Sequence, residues 1–434
     1  MQFDEALAFL DRHINREAIA GAYEGLSLDK MVALVEIMGD PQRAYPVIHV
    51  TGSKGKGSTA HLVTRLLMAS GLNVGTYTSP HVSSITERIA RNGEPISEDE
   101  FAQTIGDVAQ FVPLLPERPS YFELLTAAAF QWFADSAVDV AVVEVGLLGR
   151  FDATNVVDSA VTVCTTIGRS HTDGRDDWRT HIAYEKAGIF GPNAAGVIGD
   201  IDDDLVPYFR DESPEVLRRL GDDVRVTENR LAVGGRMIAV ETSRGLYDEV
   251  FLSLHGAHMA DNAALALASV EEFFGRALTD DVVAEAFGQA ALPGRAEVVG
   301  HDPLIVLDGA HSPESAQAIA RTVRNDFAAA ANQYVVLGLL QTPDLDQVLL
   351  GFEAPLATMV LACAPDSDRA MPAADVAAAA ARLGAVAESV GSVADAVERA
   401  LQLAEPSDLI LVSGSFYTVG EAKSALADEF GHGA

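Results

Sequence analysis

The stretch Val47-Ile48-His49-Val50-Thr51-Gly52-Ser53-Lys54-Gly55-Lys56-Gly57-Ser58-Thr59 decides how this 434-residue chain is read. Its apolar start has the composition of a buried strand. A glycine-rich turn follows, then a lysine and two hydroxyls, then helical apolar spacing over residues 60–69. Gly52, Gly55 and Gly57 allow the backbone N–H groups of this turn, Ser53 and Lys54 among them, to converge on phosphate oxygens. The helix beginning there turns its positive end toward the same point. Lys56 is placed to reach terminal phosphates, and Ser58 or Thr59 to offer a hydroxyl to Mg²⁺. Two features depart from the strict phosphate-loop pattern: Val50 stands where its first Gly belongs, and Gly57 separates Lys56 from Ser58. A glycine turn alone could be a tight strand-to-helix connection. The lysine and the paired hydroxyls favour nucleotide phosphate.

The length exceeds that of one hydrophobic core, so two domains are expected. With 48% apolar and 21% charged residues the composition is that of a globular enzyme. A formal net charge of −33 opposes general binding of nucleic acid or anionic membrane. It also means that an anionic nucleotide must be met by local cations, for which Lys54, Lys56, Arg88, Arg150, Lys186 and Arg295 are the candidates. The N-terminus lacks the basic-then-apolar order of a signal peptide, and no apolar run has the length of a membrane span. Cys164 and Cys363 lie far apart outside any metal-spacing motif, as expected of reduced thiols in a cytoplasmic protein.

Helical spacing at 4–10, 28–38 and 121–134 alternates with apolar strands at 72–77, 138–145 and 160–167. This alternation indicates a parallel α/β sheet, whose ligands bind at the carboxyl ends of the strands. Short alternating segments at 225–233, 237–241 and 249–254 suggest small β-hairpins added to the main sheet, and 257–274 a long Ala-rich helix. Leu292-Pro293-Gly294-Arg295 marks the boundary between a domain at 1–292 and one at 293–434. The second carries strands at 304–307, 334–337, 358–362, 385–390 and 409–412.

Polar groups gather at these strand ends. They are Thr78-Ser79-Pro80-His81 with Glu87-Arg88, Glu144 in the run 144–155, His171, Lys186 in Tyr184-Glu185-Lys186-Ala187-Gly188, and Asp308-Gly309-Ala310-His311-Ser312. A carboxylate ending an apolar strand, as Glu144 does, is costly unless it is paired or binds a cation. Mg²⁺ prefers such oxygen ligands and shares them with phosphates. Taken singly, each signal has a bland counterpart: a proline-stiffened loop, a hydrogen-bonded histidine, a solvated helix lysine.

In their joint order these motifs resemble the folylpolyglutamate synthase/dihydrofolate synthase family of the Mur-ligase superfamily, over nearly the whole chain. The run begins at 3–10 and passes through 40–43, 46–59, 78–81, 121–127, 144–155, 171–172 and 185–190. Gly256-Ala257-His258 with Asn262, then 293–295, 308–311 and 413–417, complete it. The resemblance implies a phosphate-loop, parallel-sheet ATPase domain with small β-hairpin additions, followed by a Rossmann-like α/β domain. It implies ATP-dependent formation of an acyl phosphate on a folate or dihydropteroate carboxylate, and amide formation with L-glutamate. Lys56, Glu144, His171 and Lys186 would carry the chemistry. Ser58, Ser79 and Glu144 would hold one Mg²⁺, and Glu144 with His171 a second. Lys186 would be carbamylated. Asn262, Arg295, Asp308 and His311 would join residues 52–59 around ATP, while Arg88, Ser120, Phe122, Asp152 and Ala153 would face the acceptor. The protein would act as a monomer.

Several positions depart from the family pattern. Lys54 replaces the usual Asn of the cradle, and Leu148 replaces a Gly. Arg169-Ser170 stand for Leu-Asp before His171, Ser312 follows His311 where Asn is usual, and Thr342-Pro343 replace Asp-Lys. None removes a phosphate or metal ligand. They leave room for two other readings: a Mur-type ligase with a different acceptor, or a nucleotide-binding homologue that has lost catalysis. The aromatic pair Tyr121-Phe122 and the absence of an extra N-terminal nucleotide-sugar domain argue against a cell-wall acceptor.

Overall fold

The computed structural model describes residues 1–15, 27–169 and 176–430. Its first sheet contains β1 (Val47–Thr51), β2 (Val74–Tyr77), β3 (Ile89–Arg91), β4 (Glu94–Pro95), β5 (Val140–Glu144), β6 (Ser159–Cys164), β7 (Ala195–Ile198) and β8 (Val216–Arg219). They lie in the order β4-β3-β2-β5-β1-β6-β7-β8. Every residue of β1 and β5 is buried. Continuous apolar strands of this kind need cover on both faces, and helices supply it. Helices Lys56–Ala69 and Met259–Phe274 close one face, and Phe3–Leu10, Asp29–Met38, Glu98–Ala109 and Tyr121–Asp135 pack over the other.

Register decides where chemistry can happen. Val50 pairs with Glu144 and Thr51 with Cys164, both in parallel, so β1, β5 and β6 end at one edge. Tyr77 pairs with Val143, which brings the turn after β2 to the same edge. Several boundaries differ from the sequence expectation. The strand expected at 160–167 stops at Cys164, because Thr165 and Thr166 turn away to bond the loop after β1. The helix expected from residue 60 begins at Lys56, which places Ser58 and Thr59 inside its first turn. The short β segments form a separate antiparallel sheet of β9 (Arg225–Ala232), β10 (Gly235–Glu241) and β11 (Leu246–Leu252), not hairpins on the main sheet.

The remaining strands are β12 (Glu297–His301), β13 (Leu304–Leu307), β14 (Gln333–Gly338), β15 (Met359–Cys363), β16 (Ala387–Gly391) and β17 (Leu409–Ser413). They form a second sheet in the order β12-β13-β17-β14-β15-β16, parallel except for β12. Helices Pro313–Asp326, Leu345–Gly351 and Ala373–Arg382 cover one face, and Val393–Leu403 and Phe416–Phe430 the other. Val82 of the first lobe packs into this second core.

A buried ion pair joins the lobes: Arg236 Nη1 on β10 lies 2.9 Å from Asp326 Oδ1, with side chains 9% and 2% exposed. Asp326 also accepts the Gly256 N–H at 2.7 Å. An acidic residue ending a helix opposes the helix dipole, so the arginine compensates it as well as pairing with it. Asp326→Ala would leave Arg236 buried and unpaired, and is expected to lower stability by about 3–5 kcal/mol in chemical denaturation.

Candidate functional site

The turn after β1 is held open by residues outside it. Ser53 N–H donates to the Thr166 carbonyl at 2.8 Å, and Lys54 N–H to Thr166 Oγ1 at 2.9 Å. Thr165 Oγ1 donates to the Lys54 carbonyl at 2.5 Å. Ser53 Oγ accepts the Gly168 N–H at 2.9 Å. The loop after β6 thereby takes up the Ser53 and Lys54 N–H groups, which the sequence reading had turned toward phosphate; that role falls to the N–H groups opening helix Lys56–Ala69. A Cβ on Gly52 would sit 1.9 Å from Thr165 Oγ1, and the residue adopts φ +144°, so only glycine permits this approach. Gly55, at φ +82°, lies against Asn262, where a Cβ would come 2.6 Å from Oδ1.

Glu144, 4% exposed, lies under the turn. Its Oε1 is 4.0 Å from Lys56 Nζ, and its Oε2 accepts the Ser79 N–H at 3.1 Å. Burial raises its pKa above the usual carboxylate range, and Lys56 and the Ser79 N–H oppose that rise. Ser58 is buried in the first turn of the helix. Thr59 Oγ1 is buried there with no hydrogen-bond partner in the protein. Among the described residues no three His, Cys, Asp or Glu side chains cluster as a metal cage. One carboxylate with neighbouring hydroxyls is the incomplete oxygen set that Mg²⁺ accepts when phosphates complete its shell. The donors therefore fit that ion. His171 lies outside the described residues.

Lys186 ends helix Trp178–Ala187 and is 2% exposed. Its Nζ donates to the Leu148 carbonyl at 3.4 Å, and the Thr51 hydroxyl donates to the same oxygen at 2.8 Å. Burial first, and the Lys56 ammonium second, lower its pKa to about 7. Leu148 adopts φ +59° and is buried. The family's Gly position is therefore filled by a residue that accepts left-handed strain while its carbonyl serves Thr51 and Lys186. Burial of the isobutyl group offsets that strain, at about 1.5–3 kcal/mol against about 1–2.

On the acceptor side, the Phe122 ring lies against Gly146, where a Cβ would come 2.3 Å from Cζ. Tyr77 is 5.9 Å away, centroid to centroid. Ser120 caps helix Tyr121–Asp135, and its hydroxyl accepts the Glu123 N–H at 3.3 Å. Arg88 is buried, and its Nε donates to His81 Nδ1 at 3.0 Å. Asp152 accepts from the Leu147 N–H at 2.7 Å and the Thr154 hydroxyl at 2.5 Å, so its carboxylate braces the loop itself. Ala153 is packed into the adjoining core. His49, beneath the turn on β1, bonds Thr154 Oγ1 at 2.8 Å through Nε2, and burial lowers its pKa to about 3.

The second lobe contributes the opposite wall. Asp308 accepts the Ala296 N–H at 2.8 Å and the Ala310 N–H at 2.9 Å. The Arg295 guanidinium stacks on Phe416 at 4.5 Å. His311 Nδ1 bonds the Gly309 carbonyl at 2.8 Å, and burial lowers its pKa to about 4, so the ring is neutral at physiological pH. Thr165, Thr166 and the Leu148 carbonyl are functional groups that the sequence reading did not single out. A Thr pair directly after a buried strand facing a glycine turn was the available signal.

A glycine-rich turn at a parallel-sheet edge, faced by a second α/β lobe, suits a ligase of the Mur type. Residues 50–270 match the Mur ligase middle domain, and residues 294–416 the Mur ligase glutamate ligase domain. Within that class the chain belongs to the folylpolyglutamate synthase/dihydrofolate synthase family. It is 38% identical over 369 residues to the dihydrofolate synthase/folylpolyglutamate synthase of Mycobacterium tuberculosis, covering 80% of this chain and 75% of that one. The solved M. tuberculosis folylpolyglutamate synthase complexed with ADP superposes with a TM-score of 0.89 at 35% identity, over 97% of both chains. A probable bifunctional folylpolyglutamate synthase/dihydropteroate synthase of Halobacterium salinarum is 35% identical over 412 residues. That alignment covers 90% of this chain but 48% of the relative, so the chain spans about half of that protein.

Gly55→Ala adds a methyl at a positive φ and displaces Asn262. It is expected to weaken nucleotide binding at least about tenfold by calorimetry and to cost about 1–2 kcal/mol in stability.

Proposed function

We propose that this chain is an ATP-dependent ligase joining L-glutamate to a dihydropteroate or folate carboxylate. The observation that carries this reading is the buried Glu144 paired with Lys56 under a glycine turn in a family of glutamate ligases. A carboxylate oxygen of the pterin acid attacks the γ-phosphorus of ATP, and ADP leaves. The glutamate amine then attacks the acyl carbon, phosphate departs, and the nitrogen gives up a proton. The difficulty is electrostatic, because an anion must approach a polyanion. Positioning and charge stabilisation therefore supply most of the rate. Lys56 and the N–H groups opening helix Lys56–Ala69 meet the phosphates, with Asn262, Arg295, Asp308 and His311 enclosing the nucleotide. Ser58, Ser79 and Glu144 would hold Mg²⁺, which neutralises phosphate charge when bound. Phe122 presents an aromatic surface to the flat heterocycle, with Arg88, Ser120, Asp152 and Ala153 forming its surroundings.

The division of labour runs between lobes at 1–292 and 293–434, and the protein acts as a monomer in the cytoplasm. No helix among the described residues is long and apolar enough to cross a membrane.

Lys186 is proposed to carry a carbamate. Its neutral amine adds to the carbon of CO₂ and releases a proton, which replaces a buried cation by an anion. The lowered pKa supports this, since the nucleophilic free base is abundant above about pH 7 and depleted below it. Dialysis against CO₂-free buffer below pH 7 is expected to remove activity, and bicarbonate at higher pH to restore it. Lys186→Met should be inactive and unresponsive to bicarbonate, yet no less stable, because an unfavourably buried amine is gone. Activity of wild type that is indifferent to CO₂ would count against the carbamate.

Lys56→Ala and Glu144→Ala are each expected to reduce turnover at least about a thousandfold, read as phosphate release with dihydropteroate or tetrahydrofolate plus glutamate. Mass analysis should show a product heavier by one glutamyl residue. Full activity in either variant would overturn the site assignment, and phosphate release with other acids only would overturn the acceptor.

A further inference from the structure

Helix Pro313–Asp326 is tied to the first lobe at both ends. Its C-terminal Asp326 holds Arg236 and the Gly256 N–H. At its N-terminus, Lys54 Nζ donates to Ser312 Oγ at 3.0 Å, across the cleft between the phosphate turn and the second lobe. Ser312 Oγ is not a passive acceptor. It donates to Glu314 Oε2 at 3.0 Å and receives the Ser315 N–H at 3.3 Å, so it is the helix cap. Ser315 Oγ in turn accepts the N–H groups of Ser312 at 2.9 Å and of His311 at 3.1 Å. One ammonium of the turn is thus linked, through two serine hydroxyls, to the backbone of a residue facing it from the other lobe.

The charges around Lys54 make this contact sensitive to an anion. Burial and the nearby Lys56 and Arg295 cations work against its protonated form, and the Glu314 carboxylate supports it. A polyphosphate between these cations would reverse their mutual repulsion, so lobe contact and phosphate occupancy favour each other.

We infer that Lys54 is a positioning residue that sets His311 over the phosphate turn by holding the capping hydroxyl of Ser312. The coupling rests on the reading that nucleotide phosphates occupy that turn. Lys54→Met and Ser312→Ala should each weaken binding of a non-hydrolysable ATP analogue with Mg²⁺ by about ten- to a hundredfold in calorimetry. KM for ATP should rise in parallel and KM for glutamate should change little. The double variant should be no worse than the weaker-binding single variant, and Lys54→Arg should recover most of the loss. A purely structural role would instead lower the unfolding midpoint without this pairwise dependence.

Additive losses in the double variant would overturn the coupling, as would a Ser312→Ala protein that binds the analogue within twofold of wild type. Should Lys54→Met fail to fold, Ser312→Ala and Glu314→Gln decide by the same titration. In that case unchanged affinity in both sinks the proposal. Wild type that binds the analogue but forms no glutamyl product would refute the ligase reading alone. Wild type that does not bind it would refute both.

Discussion

Everything at the active edge depends on one charge pair, the buried Glu144 and the part-buried Lys56, 4.0 Å apart under a glycine turn. A lone carboxylate at the end of a buried strand would neutralise itself by taking up a proton. The lysine and the Ser79 N–H counter that tendency at the edge where β1, β2 and β5 end together. The pair also solves a problem set by composition. In a chain of net charge −33 the general field repels nucleotides, so binding must come from cations and amide dipoles concentrated at one place.

That concentration needs a rigid mounting. The turn's backbone cannot be left unsatisfied where it is buried, and its own residues are committed to facing the ligand. Thr165 and Thr166 bond it from behind, and Gly168 holds the Ser53 side chain. Leu148 repeats the arrangement on the other side, accepting a strained backbone angle so that one carbonyl can serve both Thr51 and Lys186. A second layer of hydrogen bonds of this kind limits how far the first can drift, which matters when reacting groups must meet within a few tenths of an ångström.

Among the contacts that attach the second lobe, two are unlike in kind. Arg236 and Asp326 are deeply buried and hydrogen-bonded, so separating them is costly, which suits a fixed pivot. Lys54 and Ser312 meet nearer the cleft through one hydroxyl, and such a bond can exchange partners at small cost. The helix is thus held firmly at one end and more lightly at the other, next to His311.

Much of this was legible in the chain before folding. The order of apolar strands and helices follows from period and turn chemistry, and the strand at 304–307 matches the observed bounds. The phosphate turn could be read because its glycines, lysine and hydroxyls are consecutive. Glu144 was visible for a related reason: a charge at the end of an apolar run demands a partner. What stayed hidden depends on distance along the chain. Thr165 looked like one more strand residue until its contact with the Lys54 carbonyl was seen, 111 positions away. Nor could the sequence show that Asp152 braces its own loop by accepting the Leu147 and Thr154 N–H groups. Local order in the sequence determined the fold class, the phosphate turn and its buried counter-charge, because propensity, periodicity and solvation act over a few residues. Tertiary structure alone decided which threonines brace that turn, how Lys186 is desolvated and that Lys54 reaches Ser312, because packing, and with it the local dielectric, is set by residues that only folding brings together.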